Sequence, residues 1–193
     1  MKFQKIYLIG SLRNPEIPNI ANQLRELNID VFDDWFAAGP RADDHWQEYE
    51  IGRGHDYIQA LDGHAARHVY EFDRGHLDRS DGGVLALPAG RSGHLELGYL
   101  AGQGKRTYIV LGDNYDRFDV MYCFATKVVK NVEELIEELK KDEATTDRPA
   151  NGNSILGATT YPDNFYSDII EINSFDDGYD YGCGGGCDEL YGN

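Results

Sequence analysis

Cysteine is scarce: the 193-residue chain holds three, at Cys123, Cys183 and Cys187. Three thiols cannot build the disulfide framework of a small secreted domain. No stretch approaches the roughly 18–20 apolar residues that span a bilayer. The opening MKFQKIYLIGSLRNP has a short apolar run but no small-residue cleavage site, so no signal peptide is expected. Basic side chains are outnumbered, 18 Lys and Arg against 34 Asp and Glu, for a net charge of −16. Such a surplus of acid excludes non-specific binding to duplex nucleic acid and docking on anionic membrane, both of which need clustered cations. The expectation is a soluble cytoplasmic protein that handles small molecules.

Apolar residues make up 41% of the chain, and there are 22 glycines. That is ample to bury a core and excludes a wholly disordered chain. The acidity is uneven. Residues 144–193 hold nine acids and one base, whereas residues 1–143 hold 25 acids and 17 bases. A boundary is therefore expected at 142/143, separating a catalytic-sized domain, 1–142, from an acidic, Gly- and Tyr-rich extension, 143–193. In that extension Cys183 and Cys187 flank three glycines. The pair suits a disulfide or half of a metal site, but no further histidine or cysteine is present there to complete four ligands. Cys123 stands in an apolar stretch and is expected to be a small packed side chain.

Residues 3–9 read as a continuous apolar run, the pattern of a strand buried on both faces. Ile17, Ile20, Leu24 and Leu27 recur at helical spacing and stop at Asn28. Further strands are expected at 29–33, 82–88 and 106–111. Further helices are expected from about Asp43, over 62–79, over 92–105 and over 131–141, the last capped by Asn131. The alternation predicts an α/β domain with a mostly parallel sheet. In such sheets the ligand sits beyond the carboxyl ends of the strands, at the switch point of the topology. Residues 10–14, 34–46 and 88–96 are thereby expected around one crevice.

The richest segment is LPAGRSGHLELGYLAGQGK, residues 87–105. A strand ends, a glycine-rich turn follows, and a helix is expected to start at Ser92 as N-cap, with Glu96 in its first turn. There Glu96 is either a carboxylate nucleophile held ionised by the helix dipole or an acid that merely complements that dipole. A second acid, Asp73, lies on the preceding helix, and Asp81 precedes the strand that leads to Glu96. Two carboxylates at one crevice allow attack by one and proton transfer by the other, the means of breaking glycosidic bonds. The alternatives are that Asp73 pairs with Arg74 and that Asp81 is a turn residue. His64 and His68 stand four apart with no evident third ligand, so no metal is expected.

Three segments together resemble the nucleoside 2-deoxyribosyltransferases and the related 2′-deoxynucleoside 5′-phosphate N-hydrolases. They are Ile6-Tyr7-Leu8-Ile9-Gly10-Ser11-Leu12-Arg13; Glu71-Phe72-Asp73 with Asp81 following; and Leu95-Glu96-Leu97-Gly98-Tyr99 with Gly102-Gln103-Gly104-Lys105. The resemblance spans about residues 3–140. It implies a flavodoxin-like, Rossmann-like sandwich around a five-stranded, mostly parallel sheet, assembly into homo-oligomers, a nucleoside or nucleotide substrate, and neither metal nor other cofactor. By position, Glu96 is similar to the nucleophile that forms a glycosyl ester, Asp73 to the acid that protonates the leaving base, and Tyr7 to the tyrosine that orients the glutamate. Gly10, Ser11 and Arg13 resemble the turn that holds a 5′-phosphate in the hydrolases, with Ser92 adding a hydroxyl; otherwise Ser11 caps a helix and Arg13 pairs with Glu16. At Gly90 the chain departs from the base-exchanging transferases, which carry an aspartate there. Asp34, Trp35 and Trp46 fall in a segment suited to sandwich a nucleobase, although tryptophans also serve simply to pack. The implied activity is transfer of the deoxyribosyl group between bases, with hydrolysis of the 5′-monophosphate as the alternative. A silent nucleotide-binding module is the rival from outside enzymology.

Overall fold

A computed structural model describes residues 3–112 and 119–144. Its five strands are β1 (Lys5–Ile9), β2 (Asp30–Phe32), β3 (Gly82–Ala86), β4 (Arg106–Val110) and β5 (Lys127–Val129). All pair in parallel, in the order β2-β1-β3-β4-β5. This is the doubly wound, flavodoxin-like order, with its switch point between β1 and β3. The helices are α1 (Ile17–Arg25), α2 (Ala42–Gly52), α3 (Tyr57–Leu61), α4 (His64–Arg79), α5 (Arg91–Gly102) and α6 (Val132–Ala144). The rest of the extension expected from residue 143, Cys183 and Cys187 included, lies outside the described residues.

Alternation along β1 divides the core. Ile6 and Leu8 pack with Ile17, Leu24, Leu135 and Leu139 of α1 and α6. Tyr7 and Ile9 face the other way, onto Leu77 of α4 and Leu97 and Leu100 of α5. Each fully buried aliphatic contributes about 1.5–3 kcal/mol. Two glycines let α5 settle on this second face. A Cβ on Gly83 of β3 would lie 2.4 Å from Leu100 Cδ1, and one on Gly93 of α5 would lie 3.0 Å from Ile9 Cγ2.

Two elements escaped the sequence reading. β5 is three residues long, with Lys127 and Val128 exposed, so it shows no apolar run. α3 is one short helix, set off from α4 by an Asp56 capping box: Asp56 Oδ1 accepts the Gln59 N–H at 2.8 Å and Gln59 Oε1 accepts the Asp56 N–H at 3.0 Å. The helix expected over 62–79 accordingly begins at His64. Cys123 corrects a further expectation, since it is exposed on a 3₁₀ turn, Val120–Phe124, rather than packed. Asn131 does cap α6, its Oδ1 accepting the Glu134 N–H at 2.9 Å. Among the described residues no helix is long and apolar enough to cross a membrane.

Candidate active site

Tyr7, the middle residue of β1, is 1% exposed and points into the face covered by α4 and α5. Its hydroxyl donates to Asp73 Oδ1 at 3.2 Å. Asp73 lies on α4 beside an aromatic wall in which Phe32 packs on Tyr7 at 5.0 Å between ring centroids and His76 stacks on Phe32 at 3.7 Å. Glu96 comes from α5 to the same place and interacts electrostatically with both Asp73 and Tyr7. Three elements distant in sequence thus deliver two half-buried carboxyls and one phenol to one spot.

Removal from water governs their protonation. Burial, reinforced by the Asp73 charge, pushes Glu96 up to about 8. Burial also raises Asp73, while the Tyr7 hydrogen bond pulls it back down by favouring its carboxylate. Burial and the two acids push Tyr7 far above the ordinary phenol range, so it stays a hydrogen-bond donor. At neutral pH Glu96 therefore keeps its proton. The sequence reading is corrected here. Gly90, not Ser92, is the N-cap of α5, and Glu96 is the sixth residue of the helix, beyond the reach of its N-terminal dipole. Desolvation wins, and Glu96 is neutral where an ionised group was expected.

The Tyr99–Lys105 end of the 87–105 segment has a bracing role. Tyr99 OH and Gln103 Nε2 both donate to Asp78 Oδ1, at 2.7 and 2.9 Å. Lys105 Nζ donates to the carbonyls of Leu77 and Asp78 in the last turn of α4, at 2.8 and 2.9 Å. Cations are favoured at a helix C-terminus. These bonds brace α5 against α4 and so fix the carboxyl of Glu96 relative to that of Asp73.

Around the switch point, Ser11 Oγ accepts the Arg13 N–H at 3.1 Å, and the Arg13 guanidinium donates to Asp44 of α2 at 2.9 Å rather than to Glu16. Gly10 is required by packing, since a Cβ there would lie 2.4 Å from Ile17 Cδ1. Ser92 is exposed at the second position of α5, and a Cβ at Gly90 would meet nothing within 4 Å. Asp34 is exposed at the start of a 3₁₀ turn, Asp34–Ala38. Trp46, on α2, meets Tyr57 edge-on at 6.4 Å.

Two expected ligand-binding residues have structural partners. Trp35, half-buried, donates its indole N–H to the Leu8 carbonyl at 2.8 Å and packs against both halves of the core. Asp81 lies at the opposite edge of the sheet, where its Oδ2 accepts the N–H groups of Gln4 and Lys5 at 2.7 and 2.9 Å. It ties the start of β1 to the start of β3. His64 and His68 are exposed on α4, and among the described residues no group of three metal-ligating side chains is arranged to hold an ion.

Sequence reasoning missed His94. Its Nδ1 lies 2.8 Å from the Gly90 carbonyl and its Nε2 3.0 Å from the Tyr122 hydroxyl, the two rings stacked. A carbonyl only accepts, so Nδ1 carries the hydrogen and, in the neutral ring, Nε2 accepts from Tyr122. The position of His94 in a first helical turn facing a glycine-rich loop was the available signal.

No protein family's sequence profile matches the chain, and no curated protein matches it. Among solved structures, the chain is similar to the CMP N-glycosidase BcmB of Clostridium botulinum, at 11% identity and a TM-score of 0.43. That similarity covers 70% of this chain and 98% of the other.

Proposed function

We propose that this protein cleaves the N-glycosidic bond of a 2′-deoxynucleoside or its 5′-monophosphate by double displacement and passes the sugar to another base. The supporting observation is the convergence of Glu96, Asp73 and Tyr7 in one partly desolvated cluster at a sheet face beside the topological switch point. Substrate entry must move the Glu96 proton to Asp73, leaving one carboxylate and one acid. A Glu96 oxygen then attacks the anomeric carbon as the C–N bond breaks. The electron pair departs with the base nitrogen, which takes a proton from Asp73. In the second half, an acceptor base nitrogen attacks the same carbon and gives its proton to Asp73, and Glu96 leaves as carboxylate. Tyr7, unable to ionise, donates to whichever carboxylate carries charge.

Hydrolysis is the second reading, with water as acceptor, and the Ser11–Arg13 turn favours a 5′-phosphate as the substrate's handle. A nucleotide-binding module without turnover is the remaining possibility; a desolvated, protonated Glu96 beside a second carboxyl argues for chemistry instead. Exposed Tyr49, Tyr57, Ile58, Val69 and Tyr70 on α2, α3 and α4 support a homo-oligomer. The deciding assay incubates the protein with deoxynucleosides and deoxynucleotides, with and without a second free base, and follows bases by chromatography. Exchange identifies a transferase and net release a hydrolase; binding without either refutes the enzyme.

A further inference from the structure

Arg13 Nη2 donates to Asp44 Oδ1 at 2.9 Å, and Asp44 Oδ2 faces Arg41 Nε at 3.9 Å. Arg41 in turn meets Glu48 Oε1 through Nη2 at 3.1 Å. One carboxylate from α2 thus lies between two guanidinium groups, one of which belongs to the turn after β1. Ser11 Oγ is fixed there as acceptor from the Arg13 N–H at 3.1 Å, with its own hydrogen directed elsewhere. Asp44 is thereby the counter-anion of Arg13. We propose that Asp44 is a specificity-determining residue: it is an internal counter-anion on Arg13 that a 5′-phosphate must displace, so it sets the preference between a free nucleoside and its monophosphate. This rests on the N-glycosidic reading above.

The pair is built for exchange. The side chains of Arg13 and Asp44 are 60% and 43% exposed, and ion pairs so wetted are weak. A phosphate dianion with several acceptor oxygens makes stronger charge-assisted bonds to the same guanidinium. Displacement is therefore favourable, yet it is taxed by the carboxylate that must leave and that then stands close to the incoming charge. A wetted pair of this strength corresponds to a penalty of up to about fivefold on the phosphorylated substrate. The free nucleoside does not compete for Arg13 and escapes the penalty.

The test compares kcat/KM for a deoxynucleoside and for its 5′-monophosphate in the wild type, Asp44→Asn, Asp43→Asn, Arg13→Ala and the double variant Arg13→Ala/Asp44→Asn. Calorimetric titration with inorganic phosphate serves as a readout independent of turnover. Asp44→Asn should raise the monophosphate-to-nucleoside ratio about two- to fivefold and tighten phosphate binding in proportion. Asp43, the exposed neighbour in the same helical turn, removes equal charge without releasing Arg13 and should move the ratio less than about twofold. The double variant should match Arg13→Ala. An unchanged ratio in Asp44→Asn, an equal effect of Asp43→Asn, or a gain that survives loss of Arg13 overturns the proposal. If no variant turns over either substrate while phosphate binding follows the stated pattern, the role of Asp44 stands and the N-glycosidic reading falls.

Discussion

Replacing Glu96 with glutamine should stabilise the fold, and the gain should depend on pH. The Glu96 carboxyl has its ordinary value of 4.5 in the unfolded chain and about 8 in the folded protein. Between those values the folded protein holds a proton that the unfolded chain has lost. The stability this group confers is therefore complete below about pH 4.5 and is lost as pH rises through about 8. Glutamine mimics the neutral acid at every pH, so Glu96→Gln escapes the loss. At 1.36 kcal/mol per pH unit the gap amounts to an upper limit of about 5 kcal/mol. Solvent reaching a partly open site lowers the realised gain to roughly 2–4 kcal/mol. For a chain of this size each 1 kcal/mol moves the melting temperature by about 2–4 °C. Thermal unfolding of both proteins from pH 4 to pH 9 should thus give coincident midpoints at the acid end, and the variant should be roughly 5–15 °C higher at the alkaline end. A constant offset across that range would show that Glu96 does not titrate as a desolvated acid, and the chemistry built on it would lose its basis. Turnover should vanish in the same variant, the expected trade of activity for stability.

Four further outcomes follow from the same geometry. The kcat/KM of the wild type should fall as pH rises through about 8, where the Glu96–Asp73 pair loses the one proton that must reach the leaving base, and Asp73→Asn, by removing the neighbouring charge, should move the Glu96 titration to lower pH. Asp73→Asn should also cost about 10²–10⁴-fold for bases that leave only when protonated and far less for bases that leave readily; an equal loss for both would make it a structural acid. Tyr7→Phe removes the bond that favours the Asp73 carboxylate, so the Asp73 titration, followed by carboxyl NMR, should shift upward. Lys105→Met leaves the Leu77 and Asp78 carbonyls without their cation; it should destabilise by about 1–3 kcal/mol in denaturant unfolding and depress kcat through misalignment of α4 and α5.

The alternating strands and helices were legible because each core element carries its own periodic signal, as in Ile17, Ile20 and Leu24 or the unbroken run into Ile9. Glu96 stands in the helix after the β3 turn, a placement the strand-turn-helix pattern of residues 82–102 makes visible, whereas nothing local sets Asp73 of α4 beside it. What sequence could not supply was the sign of local electrostatics. Helix position suggested an ionised Glu96, whereas burial by Tyr7 and α4, set only by the tertiary fold, makes it neutral. Trp35 reads as a stacking platform, and only the fold shows its indole bonded to the Leu8 carbonyl. The Arg13–Asp44 pair joins residues 31 apart, and no spacing rule reaches across that distance. β5 draws its existence from the neighbouring Tyr108–Val110 ladder rather than from its own three residues.

The Asp81 carboxylate, holding the Gln4 and Lys5 amides, gives the sheet a division of labour between its two rims. One rim is fastened by main-chain bonds to a single acid, and the other is left for side chains that must change protonation. The partners of Asp81 at the fastened rim, Gln4 and Lys5, are not shared with the Arg13–Asp44 pair of the working rim, so the effects of substitution at the two should be independent. A pool of random variants sorted for heat resistance should accordingly accumulate substitutions near residues 4–5 and 81. A pool sorted for altered substrate choice should accumulate them near 11–13 and 41–48, and the two sets should combine additively when crossed.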